Sequence, residues 1–395
     1  MSESIVIVSA ARTPMGAFMG ELSHQTCAQL GAVAIQAAVE RSGMPAAQVD
    51  EVVMGCVLPA GQGQAPARQA ALAAGLPLSA GCTTVNKMCG SGMRAAMYAH
   101  DMLLAGSVDV MVAGGMESMS NAPYLLTKAR KGKRLGHGEV IDHLFLDGLE
   151  CAYDKGRLMG AFADDLAAST PFSREEQDEF AVASLTRAQQ ANTDGSFAWE
   201  IAPVALHGTR GAMHLMERDE PPFKAKIEKI PMLKPAFSTH GTVTAANSSS
   251  IADGAAALLM MRQSTAATLG LAPLARLVAH TTHAQEPHLF TTAPIGSIRK
   301  LMNKTGWTTA QVDLWEINEA FAVITMAAMR ELALDHAKVN IHGGACALGH
   351  PIGASGARII VSLLGALQKT GGKRGVASLC IGGGEATAVA IERLA

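Results

Sequence analysis

Two segments of this chain repeat one another, and the repeat limits the fold more than any single motif does. The first opens Cys89-Gly90-Ser91-Gly92-Met93-Arg94 and runs on with helical periodicity to Leu104. It then reaches Val110-Met111-Val112-Ala113-Gly114-Gly115-Met116-Glu117. The second opens Gly353-Ala354-Ser355-Gly356-Ala357-Arg358 and runs to Leu367. It ends Ala377-Ser378-Leu379-Cys380-Ile381-Gly382-Gly383-Gly384-Glu385. Each reads as Ser-Gly-x-Arg opening a helix, then an apolar strand closed by glycines and a glutamate. Chance matches between Gly- and Ala-rich segments are common, but order and spacing both agree here, which predicts two similar α/β halves.

The rest of the chain fits that plan. Ile5-Val6-Ile7-Val8 is a continuous apolar run, as in a strand buried on both faces. Residues 26–42 carry Leu30, Val33, Ala34, Ala37 and Ala38 on one helical face, with Gly43 as a stop. Another strand follows at Val52-Val53-Met54. Strands alternating with helices predict an α/β fold with a mainly parallel sheet. Residues 121–245 are richer in charge and proline and read as short, interrupted helices, one starting at Ser173-Arg174-Glu175-Glu176-Gln177. They form an excursion inserted into the first half. Gly254 to Met261 then returns to core composition. The expected division of the 395 residues is 1–120 plus 246–272, an inserted 121–245, and 273–395.

Composition excludes several classes. Lys+Arg is 32 and Asp+Glu 34, a net charge of −2, so no global basic surface for nucleic acid is expected. No apolar run reaches the roughly 18 residues of a membrane span. The N-terminus enters a strand-like run at once, and Glu392-Arg393-Leu394-Ala395 is no peroxisomal address. A cytoplasmic protein is expected. Seven cysteines without a CxxC pair argue against a disulfide framework or a zinc ribbon, so free thiols and no metal site are expected.

Four clusters could carry chemistry. Cys89 sits in Val85-Asn86-Lys87-Met88-Cys89-Gly90-Ser91-Gly92, at a strand-to-helix turn where a helix N-terminus favours a thiolate. Read alone, it is explained as well by a structural cysteine in a glycine-rich turn. His350, in Gly349-His350-Pro351, is a loop residue able to act as a base, or a turn histidine bonded to backbone. His342 and Cys346 take the structural reading. Cys380 ends a buried strand before Gly382-Gly383-Gly384, whose N–H groups can face an oxyanion. No GxxxxGK[ST] or GxGxxG occurs there. Asn318, in Glu316-Ile317-Asn318-Glu319-Ala320-Phe321, can cap the following helix or hold a water or substrate oxygen.

Together these clusters resemble the thiolases, acetyl-CoA C-acyltransferases of the biosynthetic, acetoacetyl-CoA type. The likeness covers essentially the whole chain. It runs from Val8-Ser9-Ala10-Ala11-Arg12-Thr13-Pro14 through Asn86–Gly92 and Gly114–Ser120. It continues through Gly241-Thr242-Val243-Thr244-Ala245 and Asn318–Phe321 to Cys380–Gly384. The fold it implies is two α/β halves stacked as αβαβα with an inserted loop domain. The activity it implies is thiolytic cleavage of a 3-ketoacyl-CoA and the reverse Claisen condensation of two acetyl-CoA.

By the same resemblance Cys89 would carry the acyl group, His350 would accept its proton, and Cys380 would exchange the α-proton. His350 and a water on Asn318 would form one oxyanion hole, and the N–H groups of Cys89 and Gly382 another. Ser249 would contact the pantetheine arm, and Met159, Ala236, Phe237, Ala245, Ala320 and Phe321 would supply apolar contacts. Coenzyme A enters as substrate and product, with no tightly bound cofactor. A homotetramer or homodimer is implied. The chain departs from the family pattern at Leu158, where His is usual, at His342, where Asn is usual, and around Pro222-Phe223-Lys224, where an arginine is usual. A basic run, Lys128 to Arg134, is read as a solvated loop. The alternatives are a broader-chain degradative thiolase, a decarboxylating or HMG-type condensing enzyme, a non-catalytic acyl-CoA binder and a cysteine hydrolase. An intact Cys380 argues against the condensing enzyme and leaves the hydrolase incomplete.

Overall fold

A computed structural model describes residues 3–207 and 213–394. The main strands are β1 (Ile5–Arg12), β2 (Glu51–Gly55), β3 (Gly81–Val85), β4 (Val110–Ser118), β5 (Ala252–Arg262), β6 (Ala275–Ala284), β7 (Leu314–Ile317), β8 (Arg374–Ile381) and β9 (Glu385–Arg393). The main helices are α1 (Cys27–Ser42), α2 (Pro66–Ala73), α3 (Ser91–Leu104), α4 (Met159–Ser169), α5 (Arg174–Thr193), α6 (Ala293–Thr305), α7 (Ala322–Glu331) and α8 (Ile352–Thr370).

The strands form one sheet in the order β7-β8-β9-β6-β1-β5-β4-β2-β3. Only two residue pairs, Val6 with Arg276 and Ile7 with Ala275, join β1 to β6. On either side of that seam the order is the same. From the seam outward, β1-β5-β4-β2 on one side matches β6-β9-β8-β7 on the other. Directions match too, since β5 and β9 are antiparallel to both neighbours while β2 and β7 run parallel to β4 and β8. The sequence repeat is therefore a topological repeat. The expected mainly parallel sheet is corrected to a mixed one. The cause is β5 and β9, each returning against its predecessor in the middle of its half.

The halves differ in that return. Between β8 and β9 it is the turn Gly382-Gly383-Gly384, with φ of 95° and 89° at the last two, a region costly for side chains. Between β4 and β5 it is the whole excursion of residues 119–251. That segment holds α4, α5 and the hairpin of Tyr124–Leu126 with Val140–Asp142. The reading of short, interrupted helices is corrected by α5, which spans 20 residues. Its Ser173–Glu176 capping box secures its start. A buried ion cluster ties the excursion down: Arg12 donates to Glu200 at 2.5 Å and to Asp219 at 2.6 and 3.0 Å.

Side-chain alternation makes the layers. Along β5, Ala255, Ala257, Leu259 and Met261 pack under α1 and α2, while Ala256, Leu258 and Met260 face α3 and α8. Leu277, Leu379, Val389 and Ile391 cover α3 and α8 from the other half. Ala279, Val376, Ala388 and Ala390 face outward to Ile295, Ile298 and Leu301 of α6. Helix, half-sheet, helix, half-sheet and helix follow in order, the two half-sheets joined at the β1–β6 seam. The middle layer, α3 and α8, is packed on both sides, and its two N-termini follow Cys89 and His350 in the chain.

Candidate active site

Cys89 is placed by a strained turn. Met88 adopts φ of 47°, unfavourable for a non-glycine residue. Three hydrogen bonds hold it there. Ser91 Oγ accepts from the Lys87 N–H at 2.8 Å and donates to the Met88 carbonyl at 2.6 Å, and Asn86 Oδ1 accepts from the Met88 N–H at 2.9 Å. The backbone N–H groups of Gly382 and of Cys89 itself favour a thiolate at Cys89. Burial outweighs them and pushes the thiol up to about 11. Cys89 in the free chain is a poised but protonated thiol.

His350 follows Gly349, whose φ is 90°, and its backbone N–H is tied to the Ser250 carbonyl at 2.9 Å. Its ring is buried, with Nδ1 at 2.5 Å from Ser355 Oγ. The Ser355 hydroxyl donates its proton to the Pro351 carbonyl at 2.9 Å, so its oxygen accepts from His350 Nδ1–H. Nε2 then carries the lone pair, and it has no partner. Burial, followed by the Arg358 charge, holds the ring down to about 3, so it is neutral near pH 7. A neutral imidazole with a free Nε2 is the form a general base needs. The reading of His350 as a turn histidine bonded to backbone is not what the structure shows; its ring bonds to a serine side chain.

The two turns meet because glycines let α3 and α8 cross at close range. A Cβ on Gly92 would lie 2.8 Å from the Ala357 nitrogen, and one on Gly356 would lie 2.4 Å from the Met93 nitrogen. Beside the crossing, Glu117 accepts backbone N–H groups of Val57, Leu58 and Gly353 at 2.9, 3.1 and 2.8 Å. Its carboxyl is pushed up to about 7 by burial.

Asn318 leaves β7 at its C-terminal end, and Cys380 and Gly382 stand at the end of β8. Ligand sites of α/β sheets sit at such ends. Asn318 does not cap the next helix, which starts at Ala322 after Phe321. Its Oδ1 lies 3.5 Å from Arg358 Nη2, and its Nδ2 is buried without a partner. Unpartnered buried donors and acceptors are costly, so His350 Nε2 and Asn318 Nδ2 are marked for a ligand or water. Cys380 is raised well above its usual range by burial and by the neighbouring Cys89.

The expected apolar contacts are partly gathered. Ala320, Phe321 and Cys380 share one core cluster with Met159 and Phe237 against it, and the Phe237 and Phe321 rings meet edge to face at 5.9 Å. The Ser249 N–H bonds to the Ala320 carbonyl at 2.9 Å, and the Ala236 N–H to the Val243 carbonyl at 2.8 Å. Ala245 lies on a separate groove of about 350 Å³ that also holds Lys224, Lys226 and Lys229. Three lysines thus stand in the region where the family arginine is missing. Cys89 opens on a cavity of about 510 Å³ with Met88, Met159 and Gly382.

Sequence reading missed three parts of the site. Ser355 stands out in the sequence only as part of the repeat, although its spacing from His350 on a helix start is a usable signal. Glu117 likewise stands out only as the glutamate that closes the first repeat. His143 and Asp147 line the Cys89 cavity, with His143 Nδ1 at 2.6 Å from Asp147 Oδ2; their i, i+4 spacing lies in the excursion, where no pattern singled them out. His342 is buried edge-on against Phe197, and Cys346 is buried beside Glu319, both structural. The run Lys128 to Arg134 is exposed.

Comparison with known proteins decides the family. The model of the thiolase N-terminal domain matches residues 5–264, and that of the thiolase C-terminal domain matches 271–393. This chain belongs to the thiolase family. Its thiolase relatives include acetyl-CoA acetyltransferase 2 of Arabidopsis thaliana, 49% identical over 99% of this chain and 97% of that protein. The acetyl-CoA acetyltransferase of Cupriavidus necator is 45% identical over 98% of this chain and 99% of its own. The mitochondrial acetyl-CoA acetyltransferase of Rattus norvegicus is 46% identical over 99% and 91%.

Proposed function

We propose that this thiolase is an acetyl-CoA C-acetyltransferase, which condenses two acetyl-CoA to acetoacetyl-CoA and cleaves the product with coenzyme A. One observation carries the reading. Cys89 and Gly382 line one cavity, and Gly382 lies two residues beyond a second buried cysteine, Cys380, at the end of β8. A cysteine hydrolase would leave that second cysteine without a purpose.

The mechanism follows from the geometry. Burial disfavours an isolated thiolate at Cys89 and an isolated imidazolium at His350 alike. Proton transfer from Cys89 to His350 Nε2 therefore accompanies attack on the thioester carbon. The charge passes to the carbonyl oxygen, where the N–H groups of Cys89 and Gly382 receive it. Coenzyme A leaves with the proton of Cys380, so acetyl-Cys89, a Cys380 thiolate and an Nε2-protonated His350 remain. A second acetyl-CoA places its thioester oxygen near His350 Nε2–H and a water on Asn318 Nδ2. The Cys380 thiolate takes the α-proton, and the carbanion attacks acetyl-Cys89 to give acetoacetyl-CoA, with His350 returning its proton to the expelled Cys89 sulfur. Ser249, Ala236, Ala245, Met159, Phe237, Ala320 and Phe321 flank the pantetheine path, and Lys224, Lys226 and Lys229 offer cations to the phosphates.

The division into two halves, 1–120 with 246–272 and 273–395, around an inserted 121–245 is supported by the matching strand orders. An oligomer is supported by the unpaired outer edge of β3 and by exposed Tyr124, Leu126, Leu135 and Val140 on the excursion. We read it as a homotetramer or homodimer. Seven free thiols suit a reducing compartment, read here as the cytoplasm.

The test is loss of acetoacetyl-CoA on addition of coenzyme A, in a series extended to longer 3-ketoacyl chains. The expected result is turnover with the shortest substrate favoured, and its loss in Cys380→Ser. Preference for long chains would move the assignment to a degradative thiolase. No turnover on any chain would sink it.

A further inference from the structure

Away from the cavity, one cluster among the described residues brings three ligand atoms together. His100 and Asp101 lie near the end of α3, and His280 lies on β6. Asp101 Oδ1 is 3.0 Å from His100 Nδ1 and 2.9 Å from His280 Nε2. All three ligand atoms lie within 4.8 Å of one another. The two rings meet edge to face at 5.0 Å. The imidazoles are mostly buried, at 14% and 11% exposure, while Asp101 is 57% exposed.

We propose that His100, Asp101 and His280 bind one divalent first-row transition cation of the zinc, nickel and cobalt class. Two imidazoles and one carboxylate suit these ions, whereas calcium and magnesium prefer all-oxygen sets. The spacing sets the geometry. At bond lengths of about 2.1 Å, two ligand atoms at right angles stand about 3.0 Å apart, and two at the tetrahedral angle about 3.4 Å. Both carboxylate-to-imidazole edges match the first. The triad supplies part of an octahedron whose remaining positions open to water beside the exposed Asp101.

The proton balance is simple. Without a cation, both ring N–H groups donate to Asp101 Oδ1. With one, His100 Nδ1 and His280 Nε2 give lone pairs to the metal, and each ring carries its proton on its other nitrogen. Two cations oppose binding. Lys304 Nζ lies 3.2 Å from the His280 carbonyl and Lys300 Nζ 3.3 Å from that of Thr282. They keep the affinity moderate. The structural consequence is a clip: it joins the far end of the helix that starts beside Cys89 to a strand of the other half.

The test uses the full chain stripped with a chelator, then titrated with Ni²⁺, Zn²⁺ and Co²⁺ by calorimetry and thermal melting. The expected result is one cation per chain, a melting temperature that climbs with cation concentration, and no response to Mg²⁺. His280→Asn and Asp101→Asn should each weaken binding at least tenfold with an unchanged circular dichroism spectrum. Asp101 is largely exposed, so its variant covers the case in which the His280 variant fails to fold. Three results overturn the proposal: no bound cation, undiminished binding in both variants, or a Co²⁺–thiolate charge-transfer band placing the metal on cysteine.

Discussion

His350 donates its Nδ1–H to the Ser355 hydroxyl across 2.5 Å, and that hydroxyl is itself committed to the Pro351 carbonyl. The pair fixes which nitrogen faces Cys89 chemistry with a lone pair. Ser355→Ala removes the acceptor and lets both tautomers form. By analogy with the loss of other outer partners that orient an imidazole, kcat should fall by about 10–100-fold. The check is kcat for acetoacetyl-CoA cleavage beside the pH dependence of Cys89 alkylation. A variant whose rate and profile match the wild type would show that the tautomer is set elsewhere.

Asn318 has a buried Nδ2 without a partner, and Arg358 sits at its other end. Asn318→Ala should cost about 10²–10³ in rate, the usual size for one oxyanion donor. The loss should fall on condensation, while transfer of the first acetyl group to Cys89 persists. Rapid-quench measurement of the acyl-enzyme beside steady-state turnover separates the two steps.

Gly356 stands where α8 crosses α3, and a Cβ there would meet the Met93 nitrogen at 2.4 Å. Backbone cannot swing aside as a side chain can. Gly356→Ala should destabilise the chain by roughly 1–3 kcal/mol, as overpacking does. Because α3 and α8 start beside Cys89 and His350, activity should drop even where the variant is folded. Urea unfolding and kcat on the same preparation test both halves of the statement.

Glu117 and Glu316 are raised by burial to about 7 and about 8, from the ordinary carboxylate value of 4.5. A folded chain that holds these protons longer than the unfolded chain loses stability as pH rises through the folded values. His350 and His342 are lowered to about 3 and about 4, so their effect has the opposite sign and is complete by about pH 6.5. Between pH 6.5 and 8 the glutamates should dominate, and the melting temperature should fall. Glu117→Gln should flatten that fall. A slope identical to the wild type would contradict the assignment.

Much of this was legible in the sequence, for identifiable reasons. The matching segments at Cys89 and Gly353 preserve a strand–helix–strand order that the sheet repeats strand for strand. Cys89, His350 and Cys380 stand at glycine-rich ends of elements, and Asn318 just past a strand end, where local pattern and chemistry coincide. Strand direction was not legible, because an apolar run such as Gly254 to Met261 carries no sign of which way its neighbour runs. Nor was the length of α5, whose polar face hides its periodicity. The pairs Ser355–His350 and Glu117–Gly353 depend on distances that only the fold creates; Glu117 and Gly353 are far apart in the chain.

The most direct measurement of the central claim is the site of acylation. The full chain is incubated with acetyl-CoA, quenched in acid, digested, and its cysteine peptides are weighed by mass spectrometry. An acetyl group on the peptide that contains Cys89, removed by added coenzyme A and missing in Cys89→Ala, is the predicted result. An acetyl group on Cys380 instead, or none on any cysteine, would contradict the account.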